Sequence, residues 1–148
     1  MLLFLSAASC SYSFILDGKT SGQKFLLEPS ANATSLIQGG MVLDANLERV
    51  LSSMGMLASE ISPYTLHSTL ASYTNQAITS TSLSTSDRYR LLITVTVRIT
   101  NSEGKEIWRM SFTDTGTYAE GGQAENALEE ASRRVSEQIG RALASLTL

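Results

Sequence analysis

The sequence has few of the residues that build the common chemical sites. Among 148 residues there are one cysteine, one histidine and two prolines. A single cysteine excludes an internal disulfide and a cysteine-based metal cluster, and a single histidine leaves few ligands for zinc. Neither of the glycine-rich phosphate-binding patterns occurs. We therefore expect no metal and no cofactor.

Positive charge and long apolar runs are also scarce. The formal net charge of −3 excludes a broad basic surface, so we expect no nucleic-acid partner. No apolar run approaches the about 20 residues of a membrane-spanning helix. Charged residues make up only 17% of the chain while hydrophobic residues make up 43%, a balance typical of a folded domain.

The N-terminus carries an apolar stretch, then small residues, then Cys10. Small residues before a cleavage point mark an export signal, and a cysteine directly after them resembles a bacterial lipobox. In that pattern Cys10 is the lipidated residue, 1–9 is a signal peptide of the lipoprotein type, and Ser11 resembles the sorting pattern for the outer membrane. No basic residue precedes the apolar stretch, which a late start codon would explain. The alternative is an apolar first strand with a free cysteine.

The next segments predict a linker, a strand, a loop and a helix. Residues 10–23 are polar and glycine-containing, so we read them as a linker before a domain over 24–148. Residues 24–29 form an apolar run that ends in proline, which indicates a strand, and 30–40 indicates a loop. An amphipathic helix follows, with Asp44 and Glu48 in its early turns and Gly55 at its end. Its apolar face comprises Leu43, Leu47, Val50, Leu51 and Met54.

The central part of the chain predicts strands. Residues 68–78 alternate weakly, 80–86 is a polar loop, and 89–99 alternates apolar and polar residues without interruption. A hairpin to the next strand must place both apolar sets on one face. A loop of two or four residues does so, and the two-residue form pairs Val97 with Met110. A three-residue loop would put Trp108 opposite Arg98 and split the core. Gly104 also favours a three-residue form with a bulge, so the turn stays open.

The chain ends in a second amphipathic helix, whose apolar residues are Leu128, Ala131, Val135, Ile139, Ala142, Leu143 and Leu146. Glu130 and Arg134 form a favourable i,i+4 pair on it. The order strand, helix, three strands, helix predicts an α+β fold: a four-stranded, mainly antiparallel sheet with two helices packed on one face.

Several of these segments together resemble the LptE family of lipopolysaccharide-assembly lipoproteins. The matching parts are the lipobox, the strand over 24–29, the helix that ends near Gly55, the strand over 89–99 with the residues up to Trp108, the Thr115-Gly116-Thr117-Tyr118 stretch and the terminal helix. The resemblance implies a protein that performs no covalent chemistry. Such a protein is anchored by lipid at the periplasmic face of the outer membrane. It plugs an outer-membrane barrel of the LptD type, helps it assemble and contacts lipopolysaccharide.

The polar face of the long strand offers a candidate binding site. Arg88, Arg90 and Arg98 share this face, and the two-residue-loop register puts Arg109 opposite Arg98. Like charges opposed across a sheet repel each other, and a bound anion would relieve that repulsion. We therefore expect these arginines to meet lipopolysaccharide or acidic groups of a barrel wall. The alternative is a solvated face whose arginines are screened by water and salt.

Two other functions remain as alternatives. One is an envelope adaptor lipoprotein of similar fold without a lipopolysaccharide role. The other is a small dimeric aspartic protease, because Asp114-Thr115-Gly116 resembles the catalytic triplet of such enzymes. The simpler interpretation of that triplet is a strand end with glycine in a bend. His67 is read as an ordinary strand residue.

Overall fold

The computed structural model describes residues 22–78, 88–119 and 121–148. Its elements are β1 (Leu26–Leu27), β2 (Ala31–Asn32), α1 (Gly39–Ser53), β3 (Tyr64–Ile78), β4 (Arg88–Asn101), β5 (Glu106–Ala119) and α2 (Ala124–Ala144). Cys10 and the loop predicted over 80–86 lie outside the described residues. The helices and the three long strands are those that the periodicity of the sequence predicts.

The sheet has the order β1-β3-β4-β5, and β2 also pairs with β3. The three long strands pair antiparallel with one another, whereas β1 and β2 run parallel to β3. The α+β class and the mainly antiparallel sheet are thus confirmed. The single strand predicted over 24–29 is instead two short ones, since the chain passes Pro29 and forms β2 inside the predicted loop. Because proline has no N–H to donate, pairing is interrupted there.

One face of the sheet, which we call the inner face, carries the core. Leu91, Ile93, Val95, Val97 and Ile99 of β4 are fully buried. They pack in one cluster with α1 and α2. The cluster includes Leu43, Leu47 and Leu51 from α1 and Leu128, Val135, Ile139 and Leu143 from α2. Both helices therefore cover the same face, as the alternation in β4 predicts.

Met110 departs from this pattern. It lies opposite Val97 on the inner face, as predicted. Its side chain is nevertheless 46% exposed, whereas Val97 is fully buried. In the described sheet β4 has a strand on each side and β5 is the last strand, but edge position alone does not account for the difference, because Phe112 on the same strand and face is only 8% exposed. The expectation that Met110 belongs to the core is wrong.

The hairpin between β4 and β5 keeps the predicted register with a different turn. Val97 faces Met110 and Ile99 faces Trp108, but the register shifts so that Thr100 faces Glu106. The turn closes with a bond from the Asn101 N–H to the Lys105 carbonyl, around a loop of three residues. Ile107 is left without a partner, and this bulge restores the parity that a three-residue loop alone would lose.

The two helices pack closely through small residues. Ser132 and Ser136 of α2 are fully buried. One turn further on, a Cβ at Gly140 would lie 2.6 Å from Val50 Cγ1. The Glu130–Arg134 pair predicted on α2 is present, with Arg134 Nη2 at 2.5 Å from Glu130 Oε1.

The predicted place of Asp44 in α1 is only partly right. The helix begins at Gly39, so Asp44 is beyond its first turn, which contains no acidic residue. The Asp44 carboxylate instead accepts a hydrogen bond of 2.6 Å from the Ser30 N–H. It therefore ties the chain between β2 and β1 to the helix, rather than acting on the helix dipole.

Candidate functional site

The face of the sheet turned away from the helices, which we call the outer face, carries mostly hydroxyl side chains. Thr69 of β3 pairs with Thr96 of β4, and Thr96 pairs with Ser111 of β5. The hydroxyls of Thr96 and Ser111 lie 3.0 Å apart, and those of Thr94 and Thr113 lie 3.3 Å apart. The middle of this face is therefore polar and uncharged.

At one end of the outer face, basic side chains from three strands form a row. Arg98 of β4 lies between His67 of β3 and Arg109 of β5. The opposition of Arg98 and Arg109 is the one that the hairpin register predicted. We call His67, Arg98 and Arg109 the basic row. Like charges opposed across a sheet destabilise it unless a negative group lies near.

Glu106 supplies part of that negative charge. Its carboxylate accepts two hydrogen bonds from the Arg109 guanidinium, at 2.8 Å and 2.7 Å. The bond from Arg109, together with the charges of Arg109 and Arg98, lowers the pKa of Glu106 below its ordinary value of 4.5. Glu106 therefore stays ionised at neutral pH. Because one carboxylate offsets only one of the two guanidinium charges, Arg98, Arg109 and Glu106 together carry one net positive charge.

The opposite flank of the row is fixed by a contact that the sequence did not reveal. Glu28 Oε2 lies 2.8 Å from His67 Nδ1, and Thr100 Oγ1 lies 2.9 Å from His67 Nε2. A carboxylate cannot donate, so Nδ1 carries the proton and donates to Glu28. His67 is thus a residue of strand β3 whose two ring nitrogens both have partners. Glu28 joins the row through the parallel pairing of β1 with β3, which local periodicity does not encode.

Arg88 and Arg90 share the outer face but lie at its other end. They face Ala119 and Thr117 of β5. The eight residues from Arg90 to Arg98 correspond to about 26 Å along a strand. The structure thus divides the four arginines into two pairs. A single small anion cannot contact both, whereas an extended polyanion or a protein wall can.

The Asp114-Thr115-Gly116 triplet lies within β5, which continues to Ala119, so its interpretation as a strand end with a bend is wrong. Asp114 faces Ile93 on the inner side of the sheet. Its Oδ2 accepts a hydrogen bond of 2.6 Å from Gln138 Nε2, and its Oδ1 lies 3.9 Å from Arg134 Nη1. These contacts place Asp114 at the junction of β5 and α2, where it joins the helix to the strand.

No group of three or more His, Cys, Asp or Glu is arranged to hold a metal ion within the described ranges. Across residues 22–78, 88–119 and 121–148, no helix combines the length and the apolar character that crossing a bilayer requires.

The fold is similar to that of several solved structures, among them two lipoproteins. A minor lipoprotein from Acinetobacter baumannii superposes with a TM-score of 0.60 at 19% identity, covering 84% of this chain and 94% of that chain. PelC from Paraburkholderia phytofirmans, solved as a dodecamer, superposes with a TM-score of 0.54 at 17% identity, covering 86% of this chain and 91% of that chain. A lipoprotein B from Nitrosomonas europaea superposes with a TM-score of 0.51 at 17% identity, covering 90% of this chain and 91% of that chain. At these identities the likeness concerns the fold alone.

Sequence comparison identifies the family. No curated protein matches the chain. The family model of LptE, described as lipopolysaccharide-assembly, matches residues 23–143, which extend from just before β1 almost to the end of α2. This match includes the basic row and both helices. The chain therefore belongs to the LptE family of lipopolysaccharide-assembly proteins.

Proposed function

We propose that this protein is a lipid-anchored partner of an LptD-type barrel. In this proposal it lies at the periplasmic face of the outer membrane, plugs and helps assemble the barrel, and contacts lipopolysaccharide. The observation that carries the proposal is the LptE family match over residues 23–143. The family is one of assembly proteins rather than enzymes, and the contacts of Asp114 with α2 favour packing over proteolysis.

The arrangement of the fold supports a role in docking. Both helices cover the inner face, so no helix of the described ranges packs on the outer face. Its middle offers Thr and Ser hydroxyls, which hydrogen-bond equally well to sugars and to the polar lining of a barrel. Its ends carry arginines, which suit phosphate and carboxylate groups.

Docking in the barrel is tested by co-purification. The full chain and its cognate LptD-type protein are expressed together, and the barrel is isolated from outer membranes. We expect the two proteins in equal amounts, and we expect misassembled barrel when this protein is depleted. A barrel that assembles fully without this protein would contradict the proposal and favour an envelope adaptor without a lipopolysaccharide role.

Contact with lipopolysaccharide is assigned to the basic row. The variant Arg98→Ser with Arg109→Ser is compared with Arg88→Ser with Arg90→Ser, which removes the same charge at the other end of the face. Purified lipopolysaccharide is the probe. If the row binds a phosphate or an acidic sugar, the first variant loses about tenfold or more in affinity, since a charge-assisted pair contributes about 1.5–3 kcal/mol. Equal affinities for the wild type and the first variant would remove the row as a contact.

The lipid anchor is assigned to Cys10, which lies outside the described residues. Several acyl chains anchor a protein stably, while one chain binds a membrane only marginally. We expect the mass of the mature protein to correspond to a chain that begins at Cys10 and carries several acyl groups. The Cys10→Ala variant should leave the membrane fraction. A mature protein with an unmodified cysteine would contradict this assignment.

A further inference from the structure

The exposed edge of β5 is divided into a closed half and an open half. β5 is the last strand of the sheet order, and no other strand of the described residues lies along its outer edge. Unpaired edges attract other extended chains, and proteins usually cover or block them. In this sheet only part of the edge is blocked.

The closed half is covered by side chains of α2. The Thr117 N–H donates to Glu130 Oε2 at 3.1 Å. The Thr115 and Thr113 carbonyls accept longer bonds of 3.4 Å from Arg134 and Gln138. The Thr115 N–H donates to Asp114 Oδ1 at 2.7 Å.

These bonds also fix the direction of the backbone groups. The backbone N–H and C=O groups of residues 113, 115 and 117 point away from β4. Because these directions alternate from one residue to the next, the backbone groups of Arg109 and Ser111 also point outward. Within the described part of the chain, neither Arg109 nor Ser111 has a backbone partner on that outward side. The open half therefore covers residues 107–112, about 20 Å of strand, which is the length of an ordinary β-strand.

The side chains along the open half are apolar on one side and basic on the other. Met110 is 46% exposed and Ile107 is 39% exposed. Trp108 is half-buried against the core, next to Met110 on the inner face. On the outer face lie Arg109 and its neighbour Arg98, with Glu106 as the only acidic side chain bonded to them in the residues that the structure describes.

We propose that residues 107–112 form a docking edge that accepts an extended segment of another protein as an additional strand. The segment alternates apolar residues, which cover Met110 and Trp108, with acidic residues, which face Arg109 and Arg98. Main-chain bonds to Arg109 and Ser111 supply the affinity, as in β-strand addition generally. The inference concerns the strand edge. It shares Arg98 and Arg109 with the basic row, but it does not depend on a lipopolysaccharide role.

Charge disfavours a second copy of this chain as the occupant. An antiparallel pair of two β5 edges would place Arg109 of each copy opposite, or next to, the same residue of the other. It would also bring the two Arg98 side chains into the same region. Like charges at these positions oppose pairing, whereas an acidic segment removes the repulsion.

The test uses the full chain and a blocked seven-residue peptide of alternating valine and glutamate. Hydrogen exchange is followed at single amides. With the peptide at ten times its dissociation constant, exchange at Arg109 and Ser111 should slow by about tenfold, while Met110, which bonds to β4, should not change. The same peptide with lysine in place of glutamate should bind more weakly.

Two matched variants locate the site. Ser111→Pro removes an outward N–H in the open half and should abolish peptide binding, while Thr113→Pro removes one in the closed half and should not. Proline is tolerated on an edge strand when its N–H side faces outward. If Ser111→Pro does not fold, Met110→Lys serves instead, because it keeps the backbone and places a charge on the edge.

Several results would overturn the proposal. One is unchanged exchange at Arg109 and Ser111 at millimolar peptide, and another is equal loss of binding in both proline variants. Protection in the free chain that grows with concentration, together with a dimer mass, would identify a second copy as the occupant. Protection that disappears when residues 1–21 are deleted would identify this chain's own N-terminal segment instead.

Discussion

Gly116 of β5 lies directly against the main chain of Ala127 in α2. A Cβ at position 116 would fall 2.0 Å from the Ala127 carbonyl oxygen and 2.8 Å from its carbonyl carbon. Only glycine allows the helix and the strand to approach so closely. The glycine of the Asp114-Thr115-Gly116 triplet therefore has a packing role, and so does Asp114 through its bond to Gln138.

The Gly116→Ala variant should lose about 2–3 kcal/mol of unfolding free energy, because the added methyl group meets backbone atoms that cannot rotate away. Urea denaturation followed by circular dichroism measures this change. Gly22→Ala is the control, since a Cβ there meets nothing within 4 Å. A loss in Gly116→Ala no larger than in the control would contradict the close approach of β5 and α2.

Removing a buried hydroxyl of α2 should increase stability, whereas Gly116→Ala decreases it. Ser136 Oγ is buried, and no hydrogen-bond partner for it exists among the described residues. Replacing it by alanine removes an unsatisfied polar group and adds helix propensity, so Ser136→Ala should raise the unfolding free energy by about 1–2 kcal/mol. Ser52→Ala, at an exposed position of α1, changes propensity alone. If both variants give the same small gain, the Ser136 hydroxyl has a partner in solution.

Gly104 supports the turn that sets the register of β4 and β5. Its φ of 77° lies in the left-handed region. An alanine there should cost about 1–2 kcal/mol, whereas Ser102→Ala in the same turn should be nearly neutral. Thermal unfolding compares the two variants. Equal midpoints would show that the turn adopts another conformation in solution.

The parts of the fold that could be predicted are those encoded by local periodicity. The alternation over 89–99 predicts the inner face of β4. The need to place the apolar residues of both strands on one face predicts the opposition of Arg98 and Arg109, whichever turn joins the strands. The turn was harder, because a three-residue loop with a bulge at Ile107 yields the same register as a two-residue loop. Sequence alone does not distinguish these solutions.

The parts that could not be predicted depend on contacts between distant segments. The parallel pairing of β1 with β3 brings Glu28 to His67, and no local pattern signals it. The exposure of Met110 is not signalled by the alternation, which places it on the same face of β5 as the buried Phe112. The division of the arginines into two pairs follows from the eight residues that separate Arg90 from Arg98 along β4. This separation can be read directly from the sequence.

Glu106 forms an ion pair with Arg109 of the basic row, so a single substitution at Glu106 can remove the negative charge beside the row. Glu106→Gln removes the carboxylate while preserving shape, so Arg109 becomes available and affinity for purified lipopolysaccharide at pH 7 should rise roughly two- to fivefold, the range expected of an exposed pair. Because Arg109 lowers the pKa of Glu106 below 4.5, wild-type Glu106 stays ionised in mild acid. The gap between wild type and variant should therefore persist at pH 5.5.

The gap should close only as the pH falls through the lowered pKa of Glu106, where the wild type is protonated and releases Arg109 by itself. Titration calorimetry from pH 7 to well below pH 4 measures the difference in affinity between the wild type and Glu106→Gln. Glu103→Gln, in the adjoining turn, is the control, since it removes the same charge without touching Arg109. If Glu103→Gln raises the affinity as much as Glu106→Gln does, the effect reflects net charge and the basic row is not the contact.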